Sequence, residues 1–353
     1  MKNQWLAVAL IAAWSGCDGG KGGHVGDDSG DDSDSDTLPP ARQWTELARG
    51  LGGALLSVTG STADDVWMVG AEDAAGATDQ VGPLFLHWDG SAWQTIDTSG
   101  HPGDLWWVWR ASADDLWISG AGGRVLRYAP GTGTFTSDTV VSANYTLFGV
   151  WGASADDVWT VGSNLEAGVA GVWHWDGAAW TSVTLPAGAE GTRAIFKVNG
   201  TAADDVWFCG SSGVTLHWDG AAMTYHDTGA TSDLLTISAR SPTEVYASGG
   251  AGNAVLVRWD GASWSDESPD FQPTVPGVFA GGSVPIAAGY QGFVYERMNG
   301  AWTPISTGAT FDFHAGWRDP DGGIWAVGGI ISSIPVRAGT IWYGGSDTPV
   351  PLP

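Results

Sequence analysis

The stretch Ala63-Asp64-Asp65-Val66-Trp67-Met68-Val69-Gly70 decides the fold, because the chain writes it repeatedly. It returns as Ala113-Asp114-Asp115-Leu116-Trp117-Ile118-Ser119-Gly120, as Ala155-Asp156-Asp157-Val158-Trp159-Thr160-Val161-Gly162, and as Ala203-Asp204-Asp205-Val206-Trp207-Phe208-Cys209-Gly210. Weaker copies follow at 244–249, 284–289 and 323–328. The anchor positions Trp67, Trp117, Trp159, Trp207, Tyr246, Ile286 and Trp325 stand 50, 42, 48, 39, 40 and 39 residues apart. Seven copies at that period are the signature of propeller blades, and they fill nearly all of the 353 residues.

Within the first repeat, the runs 55–60, 66–70, 84–88 and 93–97 have strand length, and the gaps between them carry Gly, Asp or Ser. Each unit therefore reads as a four-stranded antiparallel meander. The expectation is an all-β, seven-bladed β-propeller over residues 42–353. Gly 54 and Trp 23 suit many tight turns and aromatic wedges between sheets. A second signature, Trp88-Asp89-Gly90-Ser91-Ala92-Trp93, recurs at 175–180 and 259–264, with variants at 218–220 and 299–302. Its Asp-Gly is a tight-turn signal and makes the second hairpin. The Asp-Asp pair falls in the first turn. Because it recurs in four blades spread around a ring, it reads as turn chemistry, with carboxylates accepting backbone N–H bonds, rather than as one acid/base pair.

These two signatures resemble those of bacterial secreted propellers built of Asp-box or tectonin-like repeats, and more loosely those of photosystem II assembly-factor and sialidase propellers. Asp89 to Trp93 is one residue shorter than the Asp-box spacing, and His87 replaces the leading Ser. The resemblance implies that the box is a folding element away from the ligand face.

Lys2, the apolar run 6–14 and Ser15-Gly16 read as a secretory signal over 1–16, too short to span a bilayer as a helix. Residues 14–17 resemble the lipobox of bacterial lipoproteins, which implies Cys17 as a lipidated N-terminus. Ordinary cleavage leaving a free Cys17 is the alternative. Asp18 beside it marks inner-membrane retention in some bacteria. The expected location is the bacterial cell envelope, lipid-anchored, with the outer membrane or cell surface favoured, and otherwise secreted. Residues 17–41 have almost nothing apolar to bury and read as a disordered tether. Its Asp run at 27–36 offers hard oxygens to calcium but lacks an EF-hand's spacing and closing Glu. No other metal or cofactor is expected.

The net charge is −25, of which about −20 belongs to residues 42–353. A chain this acidic repels phosphate backbones, which argues against nucleic acid. The last repeat lacks a clear fourth strand, unless 336–338 and 341–343 are its third and fourth, while residues 43–47 match the runs that begin at Trp93 and Trp180. The N-terminal segment is thus expected to complete blade 7 and remove an exposed sheet edge.

The hairpins have near-constant length, whereas the second-to-third and blade-to-blade connections vary and share the other face. Variable loops on a constant frame carry function. The longest are 71–83 and 163–170, joined on that face by 99–104, 142–145, 185–193, 227–233 and 268–273. Candidate ligand contacts there are His101, Trp106, Tyr145, Arg193, His226 and Phe271.

Catalytic constellations are sparse. His87, His174 and His217 sit in different blades, and sheets roughly 10 Å apart do not share one metal. Cys209 stands where Val69 and Val161 stand and reads as core. Arg110 and Arg318 fall near the first hairpin, so Arg193 has no arginine partners on the variable face. The resulting expectation is a non-catalytic propeller that binds a glycan, peptide or partner protein, attached to a membrane only through a lipid. A sialidase-like glycan hydrolase or lyase is the alternative.

Overall fold

The computed structural model describes residues 42–353 apart from 74, 75, 77 and 271. The signal segment 1–16, the tether 17–41 with Cys17 and its Asp run, and Phe271 lie outside the described residues. Seven four-stranded antiparallel sheets form a ring of blades. Six are sequential meanders, and their innermost strands are Leu55–Thr62, Leu105–Ser112, Thr146–Ser154, Ile195–Ala202, Leu234–Ser241 and Gly277–Phe279.

Blade 7 closes the ring. Its inner strands are Asp312–Arg318, Ile324–Ile330 and Arg337–Gly344, and its outer strand is Trp44–Gly53 from the other end of the chain. The pairing runs from Trp44 opposite Gly344 to Gly53 opposite Arg337. Leu47 is almost wholly buried here, and Thr340 Oγ1 donates to the Ala48 carbonyl at 3.0 Å. Residues 336–338 and 341–343, which could also be the third and fourth strands of a self-complete blade, fall instead in and beside the single strand Arg337–Gly344, and the first segment of the propeller takes the fourth place.

Each anchor ring packs onto aromatic side chains of the next blade. Trp67 meets Tyr128 at 5.8 Å between centroids, Trp117 meets Trp180 at 6.2 Å, and Trp159 meets Trp218 at 5.5 Å. Trp207 meets Trp259 at 5.4 Å, Tyr246 meets Trp302 at 5.7 Å, and Trp325 meets Trp93 at 6.2 Å. At the remaining seam, Ile286 of blade 6 shares a cluster with Trp342 and Trp44 of blade 7. The two sequence signatures are thus the two halves of one inter-blade contact.

The second Asp of each pair differs from the sequence reading in its partners. Asp65 accepts from Ser61 Oγ, from Trp67 Nε1 at 2.8 Å and from His87 Nε2 at 2.9 Å, and Asp205 repeats this with Trp207 and His217. The histidine ring lies against the anchor indole, 3.7 Å between centroids for Trp67 and His87. In blade 2, Arg127 takes the histidine's place between Asp115 and Trp117. Backbone N–H groups bind instead the Asp of the Asp-Gly turn: Asp89 accepts from Ser91 N and Ala92 N, and Asp176, Asp219 and Asp260 repeat the pattern. The indole and imidazole that bind Asp65 stand opposite each other on the paired second and third strands.

Two stability predictions follow from these contacts. Leu47→Ala should cost about 2–5 kcal/mol in urea unfolding, the range for a buried leucine; a loss within about 0.5 kcal/mol, as at an exposed site, would disprove a closing role. Burial pushes the Asp65 carboxyl up, but bonds from Ser61, His87 and Trp67 and the Arg110 charge outweigh it, so its pKa lies below the ordinary value. Asp205 is lowered likewise by His217, Thr201 and Trp207 against its burial. A carboxyl lowered on folding stabilises above its unfolded value of about 3.9, and loses that contribution as pH falls through the folded value. Tm should therefore drop below about pH 4, and Asp65→Asn should flatten that drop in a pH series of thermal melts.

Candidate functional site

The site is built from an irregularity repeated in six blades. Where the innermost strand begins, one extra residue breaks the register with the second strand: Leu56, Trp106, Phe148, Phe196, Leu235 and His314. Such a bulge bends the strand and re-aims its side chain. Here all six line one cavity of ≈ 170 Å³ on the channel. The terminal Gly of the repeat serves the same geometry. A Cβ on Gly70 would lie 2.2 Å from the Ala54 carbonyl oxygen, and on Gly162 2.1 Å from that of Thr146.

Aromatic rings join part of the wall: Trp106 meets Phe148 edge-on at 5.1 Å, and Phe148 meets Phe196 at 5.6 Å. Leu165, Ala251, Thr274 and Ile334 come from second-to-third and blade-to-blade connections, so the cavity lies toward the variable face. Beside it is a polar depression containing Glu72, Asp104, Asn144, Tyr145 and Glu166, which shares Trp106, Leu165, Ile334 and Val336 with the cavity. Burial raises the Asp104 carboxyl against the bond it accepts from the Glu72 N–H, and the Glu72 charge raises it further.

Two basic groups, Lys197 and His314, line the apolar cavity wall. Lys197 is 3% exposed; its Nζ donates to the Phe148 carbonyl at 2.6 Å and lies 4.3 Å from the centre of the Trp107 ring. Burial lowers its pKa to about 7. His314 Nδ1 lies 2.6 Å from the Leu56 carbonyl, and burial, then the Lys197 charge, lowers its pKa to about 3. A neutral imidazole donates from Nδ1 to that carbonyl and keeps Nε2 as an acceptor. Cys209 is wholly buried opposite Lys197 in the adjoining strand, and its burial raises the thiol pKa, which suits a core residue.

Of the candidates read from the sequence, Trp106 lines both spaces and Tyr145 lines the polar one, packed edge-on against Trp173 at 5.4 Å. The other three described candidates lie outside both linings. His101 packs on Phe135 at 4.6 Å. Arg193 is exposed, with its backbone held by Ser163 and Ser211. His226 belongs to the outer strand of blade 4, Met223–Asp227, and meets Trp207 and Trp259 at 5.2 and 5.1 Å. Arg110 pairs with Asp65 at 3.0 Å, and Arg318 pairs with Glu296. Among the described residues no group of three His, Cys, Asp or Glu is arranged to hold a metal ion.

The sequence reading missed Lys197, His314 and the bulge positions other than Trp106. Their signal is a doublet that breaks strand alternation just before a repeat: Leu55-Leu56, Leu105-Trp106, Leu147-Phe148, Ile195-Phe196, Leu234-Leu235 and Phe313-His314.

No family model matches the chain, and no curated protein matches it. Solved structures do match the fold. A catalytically inactive virginiamycin B lyase from Staphylococcus aureus with quinupristin is 13% identical, with a TM-score of 0.66 over 85% of this chain and 99% of that one. YCF48 from Cyanidioschyzon merolae is 14% identical, TM-score 0.61, over 86% and 98%. The WD40 β-propeller domain of Doa1 is 10% identical, TM-score 0.61, over 84% and 96%. At these identities the likeness is one of fold: the class is the seven-bladed β-propeller.

Relative to its unfolded value of about 10.4, a lysine lowered on folding destabilises fully below its folded pKa and ceases to do so above its unfolded one. The Tm difference between wild type and Lys197→Met should accordingly move in the wild type's favour as pH rises from 7 to 10. A difference that is flat with pH would show that Lys197 titrates normally.

Proposed function

We propose that this chain is a non-catalytic binding propeller of the bacterial cell envelope, taking a glycan, peptide or partner protein on its variable face. The observation that carries the reading is the cavity walled by six bulged side chains. Concave, largely apolar sites with a few fixed polar groups are where ligands are held. An apolar group of the partner would enter the cavity while the rest crosses the polar depression beside it.

The expected outcome is a partner from a glycan-array and peptide-library screen of the full chain. Leu235→Trp, which fills the cavity, should weaken its binding at least tenfold, whereas Ala178→Lys at a turn of the opposite face should leave it unchanged. Equal binding by Leu235→Trp would overturn the assignment to the cavity.

The envelope location rests on the segment before the propeller. Intact mass of membrane-extracted protein should show acyl chains on Cys17, and Cys17→Ser should release the protein into the soluble fraction.

Lys197 and His314 also favour a second reading, a glycan hydrolase or lyase, because a lysine titrating near neutrality and a neutral imidazole are proton-transfer groups. Oligosaccharide turnover abolished by Lys197→Met or His314→Gln would put that reading in place of the first.

A further inference from the structure

The position after each bulge provides an internal comparison. It holds Ser57, Trp107, Gly149, Lys197, Thr236 and Ala315 in the six bulged blades. Large side chains occur only at Trp107 and Lys197, and these two touch. The blade between them has Gly149, whose absent Cβ would stand 3.1 Å from the Lys197 Cα. Lys197 thus reaches from blade 4 past blade 3 to an indole of blade 2.

Its ammonium has three N–H bonds to give. Phe148 O takes one, and the Trp107 face meets the charge, but neither is an anion. Asp233 also lines the cavity, and its Oδ1 is occupied by the Ser212 N–H at 2.9 Å. A buried ammonium without an anion is costly, and an entering anion offsets that cost with a charge-assisted bond.

We propose that the cavity binds a monocarboxylate whose apolar body is about the size of one ring, with its carboxylate on Lys197 and its body among Leu56, Trp106, Phe148 and Phe196. This rests on the channel-mouth reading above. One lysine balances one negative charge, which favours a monoanion over a phosphate. The apolar walls favour a hydrocarbon body over a hydroxylated one. The cavity of ≈ 170 Å³ also matches such a body; an engineered apolar cavity of about 150 Å³ holds one benzene. The titratable groups that act on the ammonium are His314 of blade 7 and Cys209 of the adjoining strand, and Asp233 and Tyr290 stand elsewhere in the cavity lining. Of these, His314 is uncharged above its lowered pKa, and the raised Cys209 and Tyr290 values keep both neutral at pH 7.

Calorimetric titration of the full chain with phenylacetate, phenylacetamide and toluene at pH 6 tests this. Phenylacetate should bind at least tenfold more tightly than phenylacetamide. Lys197→Met should reduce that preference to within twofold while toluene binding persists. Lys197→Gln, which keeps a donor for Phe148 O, should do the same and guards against misfolding of the first variant. Equal binding of acid and amide, or a preference that survives both substitutions, would overturn the inference. Toluene binding without acid preference would overturn it and leave the channel-mouth reading standing. Binding by none of the three would also overturn it, and Leu235→Trp in the partner screen then decides separately whether the channel mouth binds at all.

Discussion

The structure depends on the contact between an anchor ring in one blade and the aromatic side chains of the next. A single four-stranded blade cannot bury both faces, so its stability comes from its neighbours. Trp117, Trp159, Trp207, Tyr246 and Trp325 are each at most 2% exposed, and all are covered by the following blade. Large aromatic surfaces bury 150–250 Å² each on typical values, with about 0.5–1.5 kcal/mol more from ring geometry. Because the contact runs in one direction around the ring, an open ring would leave the anchor of blade 6 without part of its cover. Trp44, brought by the first strand of the propeller, supplies it. Closure is thus part of the same packing rule and adds no new kind of interaction.

The Asp of the first hairpin and the His of the third strand are subordinate to that rule. Asp65 holds the Trp67 indole N–H and the His87 ring together, so the imidazole lies flat on the indole. Where the histidine changes, its position still finds a polar bond. Blade 2 uses Arg127 on Asp115, blade 5 sets Arg258 on the hydroxyl of the anchor Tyr246, which itself donates to Glu244, and blade 6 sets Glu296 against Arg42 and Arg318. An Asp–His pair repeated in three blades with its own indole has a packing task. That explains why a constellation resembling catalytic chemistry recurs around the ring and bridges second and third strands outside the cavity lining.

The fold was legible in the sequence because Trp67 and Trp88-Asp89-Gly90 report local strand and turn chemistry that seven repeats reinforce. The latch was legible because residues 43–47 match an outer strand and blade 7 lacks one. The site was less legible, for a physical reason. A bulge is a mismatch between two paired strands, and Leu55-Leu56 in isolation looks like any buried apolar doublet. His226 shows the converse error: it lies one residue before a variable loop, but its side chain falls on the strand side of that boundary, against Trp207 and Trp259. Trp106 and Tyr145 could be placed from their nearness to variable loops because both stand where an innermost strand begins.

The repeat also separates what folding requires from what it does not. Seven blades need an anchor, a cover and a close strand approach, and departures from those needs at equivalent positions are free to serve something else. Most positions after the bulge are small and tied to neighbours: Ser57 Oγ accepts the Val108 N–H, and Thr236 Oγ1 donates to the Pro276 carbonyl. Lys197 instead places a desolvated amine on the cavity wall, where an apolar residue of similar volume would stabilise the propeller at neutral pH. Gly149 and Trp107 in the two preceding blades make room for it and face its charge. Three coordinated departures converging on one cavity, at a cost in stability that the fold does not need, are the ground on which we propose the channel rather than the hairpin face as the ligand site.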